Sequence, residues 1–97
     1  MSLWDKGKML MEARRIQKEL RDTKINIEKN EGKIKVVLNG EQKVEEVYID
    51  PSLLSSENEL LIKNSLRDAF NEAIRKSQQI AAEKMKDIAG DLNLPGL

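Results

Sequence analysis

Arg14, Lys18 and Arg21 follow one another at spacings of four and three residues, which brings side chains to one face of an α-helix. Arg15 and Lys8 flank that face. Further along, Arg75 and Lys86 fall on one face at about 100° per residue, with Lys76 to one side. Cations held on rigid helices can neutralise the phosphates of a nucleic acid and release its counterions. The plainer account is a solvated face, because charge runs on helices are more often solvated than functional. Glu12, Glu19 and Asp22 are spaced to pair with part of the first set.

Other chemistries find little support. The chain has no His and no Cys. The usual general base, the thiolate nucleophile, disulfides and most zinc sites are thereby excluded. Carboxylates and lysines remain, but no spacing pairs them for catalysis. The glycines are scattered, so no loop cradles a phosphate group, and no calcium-binding loop is present. Trp4, Tyr48 and Phe70 are too few to stack successive bases of a single strand. The expectation is a protein that is not an enzyme, without cofactor, metal or small-molecule substrate.

The 97 residues suffice for one domain, and one this small gains from sharing its core with a second subunit. Basic and acidic residues number 17 each, which argues against a strongly basic nucleic-acid binder. Their distribution is uneven. Residues 1–24 carry seven basic against four acidic residues, whereas residues 25–60 carry four against eight. No apolar run reaches the length of a membrane span, and the N-terminus lacks a signal-peptide core. These features predict a cytoplasmic protein that does not engage membranes.

The elements that would position the cations are legible from periodicity. Leu3 to Asp22 reads as a helix whose apolar stripe is Met9, Ala13, Ile16 and Leu20. Arg14, Lys18 and Arg21 lie nearly opposite it. Thr23–Lys29, Lys33–Leu38 and Gln42–Ile49 alternate with the period of strands and predict a three-stranded antiparallel meander. Asn39-Gly40 predicts a type I′ hairpin turn, with positive φ at both residues. In the third strand, Val47 and Ile49 are expected on one face, with Val44, Glu46 and Tyr48 on the other. Asp50-Pro51 starts a short helical turn, Asp as cap and Pro at its first position. Ser56 and Glu59 fit a capping box that opens a long helix to about Ala89, with Gly90 as its C-cap. Ile62, Leu66, Ala69, Phe70 and Ala73 form its stripe. Ser77 and Lys84 then bring polar groups into that seam, so the first half should pack on the sheet and the second half project. Residues 1–90 form one domain of α+β class, and residues 91–97 a tail whose leucines, Leu92, Leu94 and Leu97, suit either a loose end or a docking segment.

This order of elements resembles the YbaB/EbfC family of nucleoid-associated proteins. The resemblance rests on Met9-Leu10-Met11-Glu12 and Gln17-Lys18-Glu19-Leu20 in the first helix. It continues through Val36, Leu38-Asn39-Gly40, Val44, Val47 and Ile49-Asp50-Pro51-Ser52-Leu53-Leu54. Asn71, Ala73, Lys76, Glu83-Lys84-Met85 and the closing Leu92, Leu94-Pro95-Gly96-Leu97 complete it. The family's glycine-rich loops are reduced here to Glu31-Gly32, Asn39-Gly40 and Gly90. The resemblance implies an intertwined homodimer with projecting helices. It also implies a bacterial protein of the nucleoid that binds double-stranded DNA with little sequence preference. The residues that would contact DNA, chosen by helical geometry together with that picture, are Arg14, Arg15, Lys18, Arg21, Arg75, Lys76 and Lys86. The rival reading is a protein-interaction module like a small prefoldin subunit, whose helical arms bind chains rather than DNA.

Overall fold

The computed structural model describes residues 3–91, and the leucines of the expected tail lie outside them. Helix α1 spans Leu3–Asp22. Three strands follow: β1 (Lys24–Lys29), β2 (Ile34–Asn39) and β3 (Val44–Ile49). They form an antiparallel meander in the order β1-β2-β3. Two short 3-10 turns, Pro51–Leu53 and Ser56–Asn58, lead into helix α2 (Glu59–Asp91). The class is α+β, as the periodicity predicts.

The core lies between the sheet and the first half of α2. Ile25 pairs with Leu38 and Ile27 with Val36, so one face of β1 and β2 is continuous and apolar. Ala69 and Ala73, both fully buried, let the α2 backbone come close to it. Leu66, Phe70, Ile74 and Ile80 border this cluster. Two polar ties fix the helix along the sheet. Lys29 Nζ meets Glu72 Oε2 at 2.8 Å, and Asn30 Nδ2 donates to Ser65 Oγ at 2.7 Å.

Turn chemistry departs from expectation at the second hairpin. Gly40 does not take positive φ; Gln42 does, at 65°. The Asn39 N–H bonds Lys43 O at 2.9 Å and the Gln42 N–H bonds Asn39 O at 3.0 Å. This is a three-residue loop with a left-handed third residue rather than a type I′ turn. Buried Asn39 reinforces it, its Oδ1 accepting from the N–H groups of Glu41 and Lys43. Positive φ at two central residues occurs instead at Glu31 (59°) and Gly32 (84°), in the loop joining β1 to β2. Gly40 is needed for a different reason. A Cβ there would lie 2.6 Å from Leu20 O and 2.9 Å from Leu20 Cα. The Gly40 N–H donates to Leu20 O at 2.7 Å, so the end of α1 is clamped onto the β2–β3 loop.

A register shift in β3 produces a second difference. Val37 pairs with Glu46 but Leu38 pairs with Val44, which leaves Glu45 as an extra residue. Val44 therefore joins Val47 and Ile49 on the helix-side face instead of sharing a face with Glu46 and Tyr48. Val44 and Val47 are nonetheless half exposed, at 50% and 48%.

The helix ends show the remaining differences. Asp50 caps as expected, its Oδ1 accepting from the Ser52 N–H at 2.8 Å with Pro51 at the first position. Ser56 does not form a capping box; it opens a 3-10 turn. Asn58 serves that turn, its Nδ2 donating to Leu53 O and Ser55 Oγ. Gly90 lies within α2 rather than capping it. The second half of α2 is packed against α1. Ile16 and Ile88 are buried, and Glu19 Oε2 meets Lys84 Nζ at 2.9 Å. Ser77, fully buried, is satisfied by its own helix through Ile74 O at 2.6 Å.

Candidate nucleic-acid interface

Each of the seven cations singled out by spacing is on a helix and solvent-exposed. Arg14, Lys18 and Arg21 share one face of α1 over about 10 Å of helix axis. They are opposite Ile16 and Leu20, the side that faces the rest of the chain. Arg75 and Lys86 share one face of α2, with Lys76 beside it. That face is opposite Ser77, Lys84 and Ile88, which form the side packed on α1. Each basic set thus lies outward from the seam between the helices. One protomer does not merge the two into a single surface; they face away from each other.

Arg15 differs from the others. Its guanidinium is tied to Glu12 Oε2 at 2.6 Å and to Glu19 Oε1 at 2.7 Å. Its hydrogen bonds to the Glu12 carboxylate, with the nearby charges of Glu12 and Glu19, raise its pKa above the ordinary value. Glu19 is shared between Arg15 and Lys84. The consequence is that two of the acids of α1 are neutralised on the flank and seam of the helix. Among the described residues, no ion pair engages Arg14, Lys18, Arg21, Arg75, Lys76 or Lys86.

Glu19 also carries the pH sensitivity of the seam. The Lys84 hydrogen bond, reinforced by the charges of Lys84 and Arg15, holds its carboxyl below the ordinary value of 4.5. Lys29 does the same for Glu72 where α2 meets the sheet. A carboxyl whose folded pKa is depressed contributes stability that is present above its unfolded value and lost as pH falls through the folded one. The helix pair is therefore expected to hold its melting temperature from neutral pH to about 4.5 and to lose it below. Glu19→Gln should flatten that part of the acid limb in a melting series. An unchanged limb in the variant would remove Glu19 from the account.

Near the foot of α1 a groove is lined by Arg21, Lys24 and Lys43 together with Asp22, Glu41 and Glu45. Lys24 is held by Glu45 at 2.5 Å. The mixture of signs gives no focused anion site. Among the described residues no group of acidic side chains is arranged to hold a metal. No helix among them is long and apolar enough to cross a membrane.

Spacing alone missed one feature of this surface. Trp4, Leu10 and Met11 are exposed at 79%, 54% and 72%. They lie on α1 on the side that carries the basic row, away from the seam. The signal was present as a second apolar stripe in the first three turns, but the stripe through Ile16 accounts for the helix without it.

The model of the YbaB/EbfC DNA-binding family matches residues 5–92. A nucleoid-associated protein of Persephonella marina is 40% identical over 82 residues, covering 84% of this chain and 74% of that protein. One from Pelotomaculum thermopropionicum is 31% identical over 90 residues, covering 93% of this chain and 86% of that protein. In fold, the chain matches the crystal structure of the uncharacterized protein HP0035 from Helicobacter pylori with a TM-score of 0.72. That match spans 95% of this chain and 97% of the other at 23% identity.

Proposed function

This chain belongs to the YbaB/EbfC DNA-binding family, and from that premise we propose that it binds double-stranded DNA as a homodimer of the nucleoid, with little sequence preference. The observation that carries this reading is the row Arg14, Lys18 and Arg21, exposed on one face of α1 and outside any ion pair among the described residues. Such a row neutralises phosphates irrespective of base sequence. Arg75, Lys76 and Lys86 extend the contact from the outer face of α2. Arg15 contributes less, because Glu12 and Glu19 already hold it. The chain is neutral overall, so binding depends on local rows of cations, and a dimer doubles each row.

The same reading assigns the seam between copies to β3. That strand is an outer strand of the sheet, and its Val44 and Val47 are half exposed. Leu54 and Leu60, just beyond it in sequence, are exposed at 63% and 70%. An outer strand with apolar side chains in water invites pairing. Domain 1–90 then forms the body and arms of each copy. Val44→Lys with Val47→Lys is expected to yield a monomer by light scattering and to weaken DNA binding through loss of avidity. A variant that stays dimeric would place the seam elsewhere. The DNA-binding test is a titration against unrelated duplexes over a range of salt, in which affinity falls steeply as salt rises.

A further inference from the structure

The side of α1 that bears the basic row changes character along its length. In the first three turns it presents Leu3, Trp4, Gly7, Leu10 and Met11, an apolar arc of about 120° on the helical wheel. Leu3, Trp4 and Met11 frame a notch over Gly7, beside which a Cβ would meet nothing. Lys6 and Lys8 border the arc on its two sides. Arg14, Lys18 and Arg21 then continue along the same side. Of the acids of this helix, Asp5, Glu12 and Glu19 lie on other sides of it; Asp22, its last residue, lies on this side at the far end from the apolar arc.

An occupant of its first three turns must meet apolar side chains bordered by cations and no carboxylate, and further along the row a single carboxylate, Asp22, at the helix end. A second copy laid antiparallel across Gly7 would set Lys6 against its own counterpart and Lys8 against its own, like charge against like. An anionic partner with apolar groups recessed between two charged rims fits better. The DNA major groove has that form: it admits an α-helix, phosphates line its rims, and the thymine methyl is the apolar group on its floor. A helix that places its first turns in the groove and its later turns across the backbone matches the order of residues along α1.

We propose that the first three turns of α1 enter the major groove, with Leu10 and Met11 against thymine methyls and Arg14, Lys18 and Arg21 on the neighbouring phosphates. The inference rests on the DNA-binding reading above and adds a base-dependent contribution that salt does not remove. Burying one methyl changes affinity by about fourfold, so two contacts give about tenfold or somewhat more.

The experiment compares two duplexes of the same sequence, one with thymine and one with uracil, which removes only the methyl. The intact chain should bind the thymine duplex about tenfold more tightly, by a ratio that stays constant across salt. Leu10→Ala with Met11→Ala should bring the ratio to one and leave the salt slope unchanged. Both side chains are more than half exposed, so the variant should retain its helix content and melting temperature. Arg14→Ala with Lys18→Ala should do the reverse, lowering the slope and keeping the ratio. A ratio of one in the intact chain overturns the methyl contact. Equal weakening on both duplexes in the Leu10/Met11 variant also overturns it, assigning the stripe to contacts between copies. A slope unmoved by the Arg14/Lys18 variant overturns the basic row itself, and no binding to either duplex overturns the DNA reading.

Discussion

Replacing Arg14, Lys18 and Arg21 together by alanine is expected to weaken DNA binding by about two orders of magnitude or more near physiological salt. Each phosphate contact contributes about 0.9 to the slope of log affinity against log salt. In a dimer with both rows engaged, six contacts disappear, and the slope should become shallower by about five. The loss should be similar on all sequences, because phosphate contacts carry no base information. All three side chains are exposed and outside ion pairs among the described residues, so the fold should persist. Circular dichroism and a melting curve check that point. The informative control is Arg15→Ala, which should cost DNA affinity much less, since Glu12 and Glu19 already occupy that guanidinium. If Arg15→Ala proves as damaging as the others, the ion pairs do not withhold it from DNA.

The largest stability effect is expected at Gly40. An alanine methyl there would sit 2.6 Å from the Leu20 carbonyl oxygen and 2.9 Å from Leu20 Cα. Both are backbone atoms at the end of α1, and no side-chain rotation relieves the overlap. The helix must move off the β2–β3 loop, which weakens the 2.7 Å bond from the Gly40 N–H to Leu20 O. Overpacking of this kind costs about 1–3 kcal/mol. Denaturant unfolding of Gly40→Ala measures it. Gly7→Ala is the matched control, since a methyl there meets nothing and exposed helix positions favour alanine over glycine by about 1 kcal/mol. Equal effects of the two changes would contradict the clamp.

The contrast between these glycines shows what sequence conveys and what it does not. Asn39-Gly40 signals a turn in any chain, and a turn is there. Its type was not legible, because the reason for Gly40 lies 20 residues away in Leu20. Strand order and the apolar face of β1 and β2 followed from alternation, since period two fixes which side chains share a face. The same rule failed at Val44, because one extra residue, Glu45, reverses the alternation and leaves no mark in composition. The polar seam residues of α2 read as a helix leaving the sheet. They are also where α1 packs, with Lys84 answered by Glu19 and Ser77 by its own backbone. For the candidate interface, periodicity found the basic rows. It could not find which cation is held by acids, since that depends on rotamers, nor that an apolar arc on the same side of α1 remains uncovered.

The central claim is that rows of cations on these helices bind duplex DNA by its phosphates. Its most direct test is a titration of the intact chain against two unrelated duplexes of equal thymine content, repeated from about 50 to 300 mM salt. The account predicts affinities on the two that agree within a few-fold and fall together along a steep log–log line. Absence of binding at the lowest salt, or binding that salt does not weaken, would contradict it.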